Sequence, residues 1–179
     1  MKLDTITDQP VIEAERCDLR PLRLSDIGMI ELYASDERVA RMTTSIPHPL
    51  PPGSTEAFIK RSLAPGHEEC VWVMDAKKSG GAELKGLISL TLLDDDQCEV
   101  GYWVAPAFWN TGVASRAVDA LLVANPLKCR TAFATVFQEN TASARVLTNC
   151  GFEYLGDAEK FSVARNASVP TWTYMRKLG

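Results

Sequence analysis

The sequence predicts a mixed α/β fold, a sheet with helices on both faces. Three observations carry that expectation: strand-like and helix-like periodicities alternate along the chain, a strand–helix–strand piece across residues 98–137 demands a parallel crossover, and the short polar turns around it call for antiparallel hairpins. With 179 residues and 46% hydrophobic content the chain supplies one full core and not two, so one domain over residues 1–179 is expected. Prolines and glycines fall between periodic segments, and no repeat or low-complexity tract interrupts them.

Taken in order, residues 11–22 alternate as a strand, and Ser25-Asp26 offers the N-cap of a helix carrying Ile27, Ile30 and Leu32. Residues 46–53 hold four prolines, which remove donors and restrict their neighbours, so this segment is a loop. A capping pattern at Ser54 opens a second helix with Phe58, Ile59 and Leu63 on one face. Residues 70–74 and 84–93 are β-branched and apolar, and the Ser-Gly-Gly between them marks a hairpin connection. After the polar turn at residues 94–97, residues 98–104 read as a strand that Pro106 terminates. From Gly112 onward Val113, Ala117, Val118, Leu121 and Leu122 recur at helical spacing until Asn125-Pro126 stops the run. A buried-looking strand at 131–137, a helix at 140–149 closed by Gly151, and strands near 153–163 and 169–177 complete the order.

A formal net charge of -4 excludes a general nucleic-acid binder, which needs a basic surface to displace counterions. Between residues 101 and 151 the balance reverses: Arg116, Lys128, Arg130 and Arg145 stand against Asp119 and Glu139, a mild welcome for a small anion. Cys17, Cys70, Cys98, Cys129 and Cys150 have no Cys-x-x-Cys or Cys/His ligand spacing, so no metal is expected, and packed, reduced thiols fit a cytoplasmic address. The opening Met-Lys-Leu-Asp-Thr-Ile-Thr-Asp has no apolar leader core, and no later stretch approaches the roughly 20 apolar residues of a membrane span.

Two stretches carry candidate chemistry. Pro106 to Ser115 leaves a strand and opens a helix, with Gly112 and Ala114 at the entry. The unpaired amides of such a turn, with the helix dipole behind them, hold a diphosphate without lysines, and small residues let it approach the backbone. No Gly-Lys-Ser/Thr follows, so a P-loop is not supported. In the second stretch, Asn140 to Phe152, Asn140 reads as an N-cap helped by Ser143, and Gly151-Phe152 as a helix stop with a core aromatic.

In order and spacing, Glu99 to Pro106 (Glu-Val-Gly-Tyr-Trp-Val-Ala-Pro), Phe108 to Ala114 (Phe-Trp-Asn-Thr-Gly-Val-Ala), Asn140 to Ser143 and Gly151-Phe152 resemble the GNAT N-acetyltransferases. Glu15-Arg16, Leu19-Arg20-Pro21 and Ser25-Asp26 are similar to the opening of its ribosomal-protein alanine N-acetyltransferase branch. The resemblance implies the GNAT fold, a mixed, mostly antiparallel twisted sheet of six to seven strands, with acetyl-CoA as cosubstrate and a homodimer as one arrangement. By position it also implies that the Val104 backbone pairs with the pantetheine arm and polarises the thioester, that amides from Asn110, Thr111, Gly112, Val113, Ala114 and Ser115 hold the pyrophosphate, and that Asn140 bonds the arm near the sulfur.

The chain departs from the family pattern at Trp109, where Gln or Arg is usual, at Asn110-Thr111, where Gly-Lys is frequent, and at Leu147, where many relatives place a tyrosine acid. Glu99 is the candidate base and Ser143 the candidate donor to the departing thiolate. The acceptor implied is a peptide or protein N-terminal amine. A small amine such as an aminoglycoside, polyamine or amino-acid derivative, and a coenzyme A-binding sensor without turnover, stand as alternatives. His48 and His67 lie outside these motifs, and Tyr102, Trp72 and Trp103 read as core or cleft wall.

Overall fold

A computed structural model of the chain describes residues 9–94 and 96–179. The first eight residues, read above for their lack of a leader, and Asp95 of the polar turn lie outside the described residues. The strands are β1 (Ile12–Ala14), β2 (Cys17–Pro21), β3 (Glu69–Asp75), β4 (Gly86–Asp94), β5 (Gln97–Val104), β6 (Thr131–Phe137), β7 (Glu153–Ser162) and β8 (Ala167–Lys177). The helices are α1 (Ile27–Ala34), α2 (Glu37–Ala40), α3 (Ser54–Leu63), α4 (Val113–Ala124) and α5 (Thr141–Asn149).

All the strands join one sheet in the order β1-β2-β3-β4-β5-β6-β8-β7. Among the described residues each neighbouring pair is antiparallel except β5 with β6, which the α4 crossover makes parallel. The mixed, mostly antiparallel sheet is the one expected, but among the described residues it has eight strands rather than six to seven. The difference lies at residues 11–22: Arg16 takes a φ of 64°, and the expected single strand folds back as the β1–β2 hairpin. The short helix α2 was also not foreseen; Asp36 caps it by accepting the Arg38 N–H at 2.9 Å.

Alternation along the central strands sends side chains to two cores. Cys70, Trp72 and Met74 of β3 pack with Val113, Ala117, Val118 and Leu121 of α4 and Leu147 of α5, whereas Val71 and Val73 pack with Ile30 of α1 and Ile59 of α3. Helices therefore cover both faces, and β3 is apolar along nearly its whole length because neither of its sides meets water. The five cysteines are all free and buried.

A buried ion pair ties β2 to the start of α1. The Arg20 guanidinium donates to both Asp26 carboxylate oxygens at 3.0 and 2.8 Å, and its Nε donates to Asp75 on β3 at 2.7 Å. Asp26 also accepts the Arg23 N–H at 2.8 Å, so the expected helix cap became a three-way lock. Burial pushes the Arg20 pKa down, yet the hydrogen bonds from Asp26 and Asp75 outweigh it and leave the group above its ordinary value. Arg20→Met should cost about 3–5 kcal/mol of unfolding free energy in a urea titration, because two carboxylates lose their counter-charge in a low-dielectric site. A loss below about 1 kcal/mol, the value of an exposed pair, would show that the lock contributes nothing special.

Candidate active site

The sheet opens at one seam. Strand β5 keeps its antiparallel partner β4 to the end, with Val104 opposite Gly86, and β6 keeps β8 to Phe137 opposite Thr171. The parallel pairing between β5 and β6 covers only Gln97, Cys98 and Glu99 against Thr131, Ala132 and Phe133. From Val100 onward the two strands part. The Ala105 N–H donates to Lys85 O on the β4 side at 2.8 Å, so by alternation Tyr102 and Val104 turn their backbone N–H and C=O toward the gap. The Val104 carbonyl is already taken: the Trp109 indole N–H donates to it at 2.7 Å. That leaves the Val104 N–H and both Tyr102 groups facing the opening.

On the α4 side of the gap lies a cleft of about 560 Å³ lined by residues 110–115, 140–143 and the end of β5. Asn110 and Gly112 take φ values of 62° and 80°, and these two left-handed residues bend the chain into α4. Gly112 is the N-cap and no side chain caps the helix, so the N–H groups of Val113, Ala114 and Ser115 find no intrahelical acceptor. Twelve helical residues stand behind them, and their aligned dipoles make the entry positive. Arg116 adds a full charge: its guanidinium donates to Thr111 O at 3.2 Å and would sit 3.6 Å from a Cβ on Gly112. Arg38, held by Asp36 at 2.7 Å and stacked 5.7 Å over the Trp109 ring, borders the same cleft with Arg145.

At the start of α5 the Asn140 side-chain oxygen accepts the Ser143 N–H at 3.2 Å, which leaves its NH₂ free for the cleft. The Ser143 hydroxyl lies 2.6 Å from the Tyr102 hydroxyl, which also reaches the Ser143 carbonyl at 3.2 Å. Burial pushes the Tyr102 phenol well above the ordinary tyrosine range, although the Ser143 contact opposes it. Leu147, where relatives place a tyrosine, is fully buried in the α4–α5 core.

Glu99 points to the other face of the sheet, into a second cavity of about 350 Å³ beneath α1, α3 and residues 42–50. Lys160 of β7 approaches its carboxylate at 3.7 Å. Glu99 and Ser143 therefore do not share a cavity, but the two cavities meet: Val100, Gly101, Tyr102, Trp103, Thr135 and Met42 border both. The seam between β5 and β6 lies in the wall they share. His48 and His67 line neither cavity; a His67 ring nitrogen is bonded to the Glu69 carbonyl. Among the described residues no group of His, Cys, Asp or Glu is arranged to hold a metal ion, and no helix is long and apolar enough to cross a membrane.

The family model for an acetyltransferase (GNAT) domain matches residues 16–153. The chain belongs to the GNAT acetyltransferase family. It is an acetyl-CoA-dependent N-acetyltransferase. Solved structures similar to this acetyltransferase include a GNAT-family acetyltransferase from Bacillus anthracis, 24% identical, with a TM-score of 0.76 over 94% of this chain and 99% of that one. RimL, a ribosomal L7/L12 alpha-N-protein acetyltransferase in complex with coenzyme A, is 14% identical, with a TM-score of 0.79 over 94% and 98% of the two chains. Spermidine N-acetyltransferase from Vibrio cholerae, in complex with CoA and spermine, is 18% identical, with a TM-score of 0.74 over 92% and 98%. No curated protein matches by sequence.

Reading the GNAT motifs alone missed three side chains. Tyr102 looked like cleft wall, Arg116 counted only toward a local positive balance without a place in the loop, and Lys160 was not singled out. The signal for Arg116 was present, because a basic residue four positions after an N-cap glycine returns to that glycine in one helical turn. The loop geometry also gives a direct test. Gly112→Asp places a side chain at a φ of 80° and a negative charge at the helix entry beside Arg116, so coenzyme A affinity by calorimetry should fall by at least about tenfold. Unchanged affinity would take the loop out of the cofactor site.

Proposed function

We propose that this enzyme acetylates the N-terminal amine of a peptide or protein by direct attack on acetyl-CoA. The observation that carries the reading is the meeting of two cavities at the open seam, where a thioester entering from the α4 side faces an amine entering from the α1–α3 side. In this reading the amides of residues 110–115 hold the pyrophosphate, with Arg116 beside them supplying the charge that the absent lysine would bring. The Val104 N–H and the backbone of Tyr102 pair with the pantetheine arm and polarise the thioester carbonyl, and the Asn140 NH₂ bonds the arm near the sulfur. The amine lone pair attacks the carbonyl carbon, the C–S bond breaks with its electrons on sulfur, and Glu99 takes the proton from the nitrogen, directly or through a water. Ser143 faces the departing thiolate.

The charge of the acceptor cavity supports a peptide end over a polycation. Arg61 and Lys160 line it together with Glu69 and Glu99, so it is balanced rather than acidic. Lys160 approaches Glu99 at 3.7 Å, and a polyamine would meet as many cations as carboxylates there. An alanine-initiated peptide should therefore give a higher kcat/KM than spermidine; the reverse order would overturn the peptide reading and leave the acetyltransferase intact. Glu99→Gln should reduce kcat by about 100-fold at neutral pH, the usual scale of a lost general base, with coenzyme A affinity kept. An undiminished rate would remove Glu99 from the mechanism.

A further inference from the structure

We propose that Tyr102 is a positioning residue for the leaving group: its phenol donates to Ser143 Oγ and so frees the Ser143 O–H to bond the departing sulfur. The inference rests on the acetyltransferase reading above and deepens it at one step. Tyr102 borders both cavities and Ser143 borders the cofactor cleft, so their shared contact lies where the amine side and the thioester side meet. The oxygens stand 2.6 Å apart, a strong O–H···O bond in which either atom can donate; the phenol's one proton also has the Ser143 carbonyl within reach at 3.2 Å, and the shorter distance favours Oγ as its acceptor.

The need for the tyrosine follows from helix chemistry. Ser143 lies in the first turn of α5, and its backbone N–H is held by Asn140. A serine hydroxyl within a helix otherwise donates back to a carbonyl one turn earlier, which spends its single proton on the backbone. A phenol donating into Oγ supplies the oxygen with a partner and leaves that proton for the cleft. It also polarises the serine, since hydrogen bonds in series strengthen one another. Burial keeps Tyr102 a neutral phenol, far less acidic than a thiol, so no proton passes through the pair. The sulfur leaves with the electron pair of the broken C–S bond and is stabilised as an anion by the Ser143 O–H. The nitrogen's proton goes to Glu99 on the other face. Cys150, the other ionisable group acting on Tyr102, stays a neutral thiol because burial pushes it up.

The test needs no acceptor. Coenzyme A bound to the full chain is titrated by thiolate absorbance, with the desulfo-coenzyme A complex subtracted to remove the protein's own tyrosines and cysteines. A donor aimed at the sulfur favours its charged form, so the bound thiol should ionise about one pH unit or more below free coenzyme A. Tyr102→Phe, which keeps the ring in place, and Ser143→Ala should each return it to the free value while holding coenzyme A affinity within about twofold. The double variant should match Ser143→Ala alone, because the two side chains act as one unit. A wild-type thiol that titrates like free coenzyme A overturns the proposal, as does a shift that survives either single variant. Failure of the wild-type chain to bind coenzyme A at all would instead overturn the cofactor assignment beneath it.

Discussion

The site depends on a mismatch in how β5 and β6 are held. Each strand is bound along its full length to an antiparallel neighbour, and the two share only three residue pairs. Parallel pairing is the weaker kind per residue, so when the twist of the sheet draws the outer strands apart this seam is the one that yields. The backbone groups it releases are not hidden. They face a cleft that water enters, and this avoids the penalty of about 1–3 kcal/mol that each would carry if buried without a partner. An extended amide-bearing arm laid in the gap would restore what the missing strand pairing withheld. The seam is therefore an unfinished sheet edge in the middle of the molecule.

Strand alternation then divides the chemistry between two faces. Glu99, Gly101 and Trp103 turn toward α1 and α3, where Trp103 meets Tyr33 edge-on at 6.5 Å, while Val100, Tyr102 and Val104 turn toward α4. Gly101 sits between the two cavities without a side chain, and an added Cβ would stand 3.2 Å from Ser89 Oγ. One strand thus presents a carboxylate to one cavity and a phenol to the other within four residues. The strand itself is the wall between the two cavities, and in the proposed reading its open flank is where acceptor and thioester would meet.

Most of the architecture was legible because it rests on local rules. The glycine entry to α4, the Asn140 cap of α5, the Asn125-Pro126 stop and the alternation of β5 are each decided by a few adjacent residues, and each appears as expected. The β1–β2 hairpin escaped because its turn uses Arg16 at positive φ, and no glycine or asparagine announces it. Tyr102 escaped for a different reason. Its importance comes from a partner 41 residues away on α5, and spacing along a single strand carries no trace of such a contact. The Arg20–Asp26 lock was visible as a motif but not as a mechanism, since Asp26 reads as a helix cap until Asp75 arrives from β3.

The leucine at 147 shows why the hydroxyl pair belongs where it is. A tyrosine there would have to leave the α5–sheet core, in which Leu147 is fully buried against α4 and β6, to reach a sulfur in the cleft. In this chain that position does packing alone, and truncating a buried leucine of this kind costs about 2–5 kcal/mol. In the proposed mechanism the polar work falls one turn toward the N-terminus of α5, where Ser143 is already fixed by the helix cap and Tyr102 reaches it from the flank of β5. Both ends of that contact sit on elements held by the antiparallel parts of the sheet and by the Asn140 cap. Under that proposal the donor would be oriented before any thioester arrives, which is what stabilising a charge that appears only as the bond breaks demands.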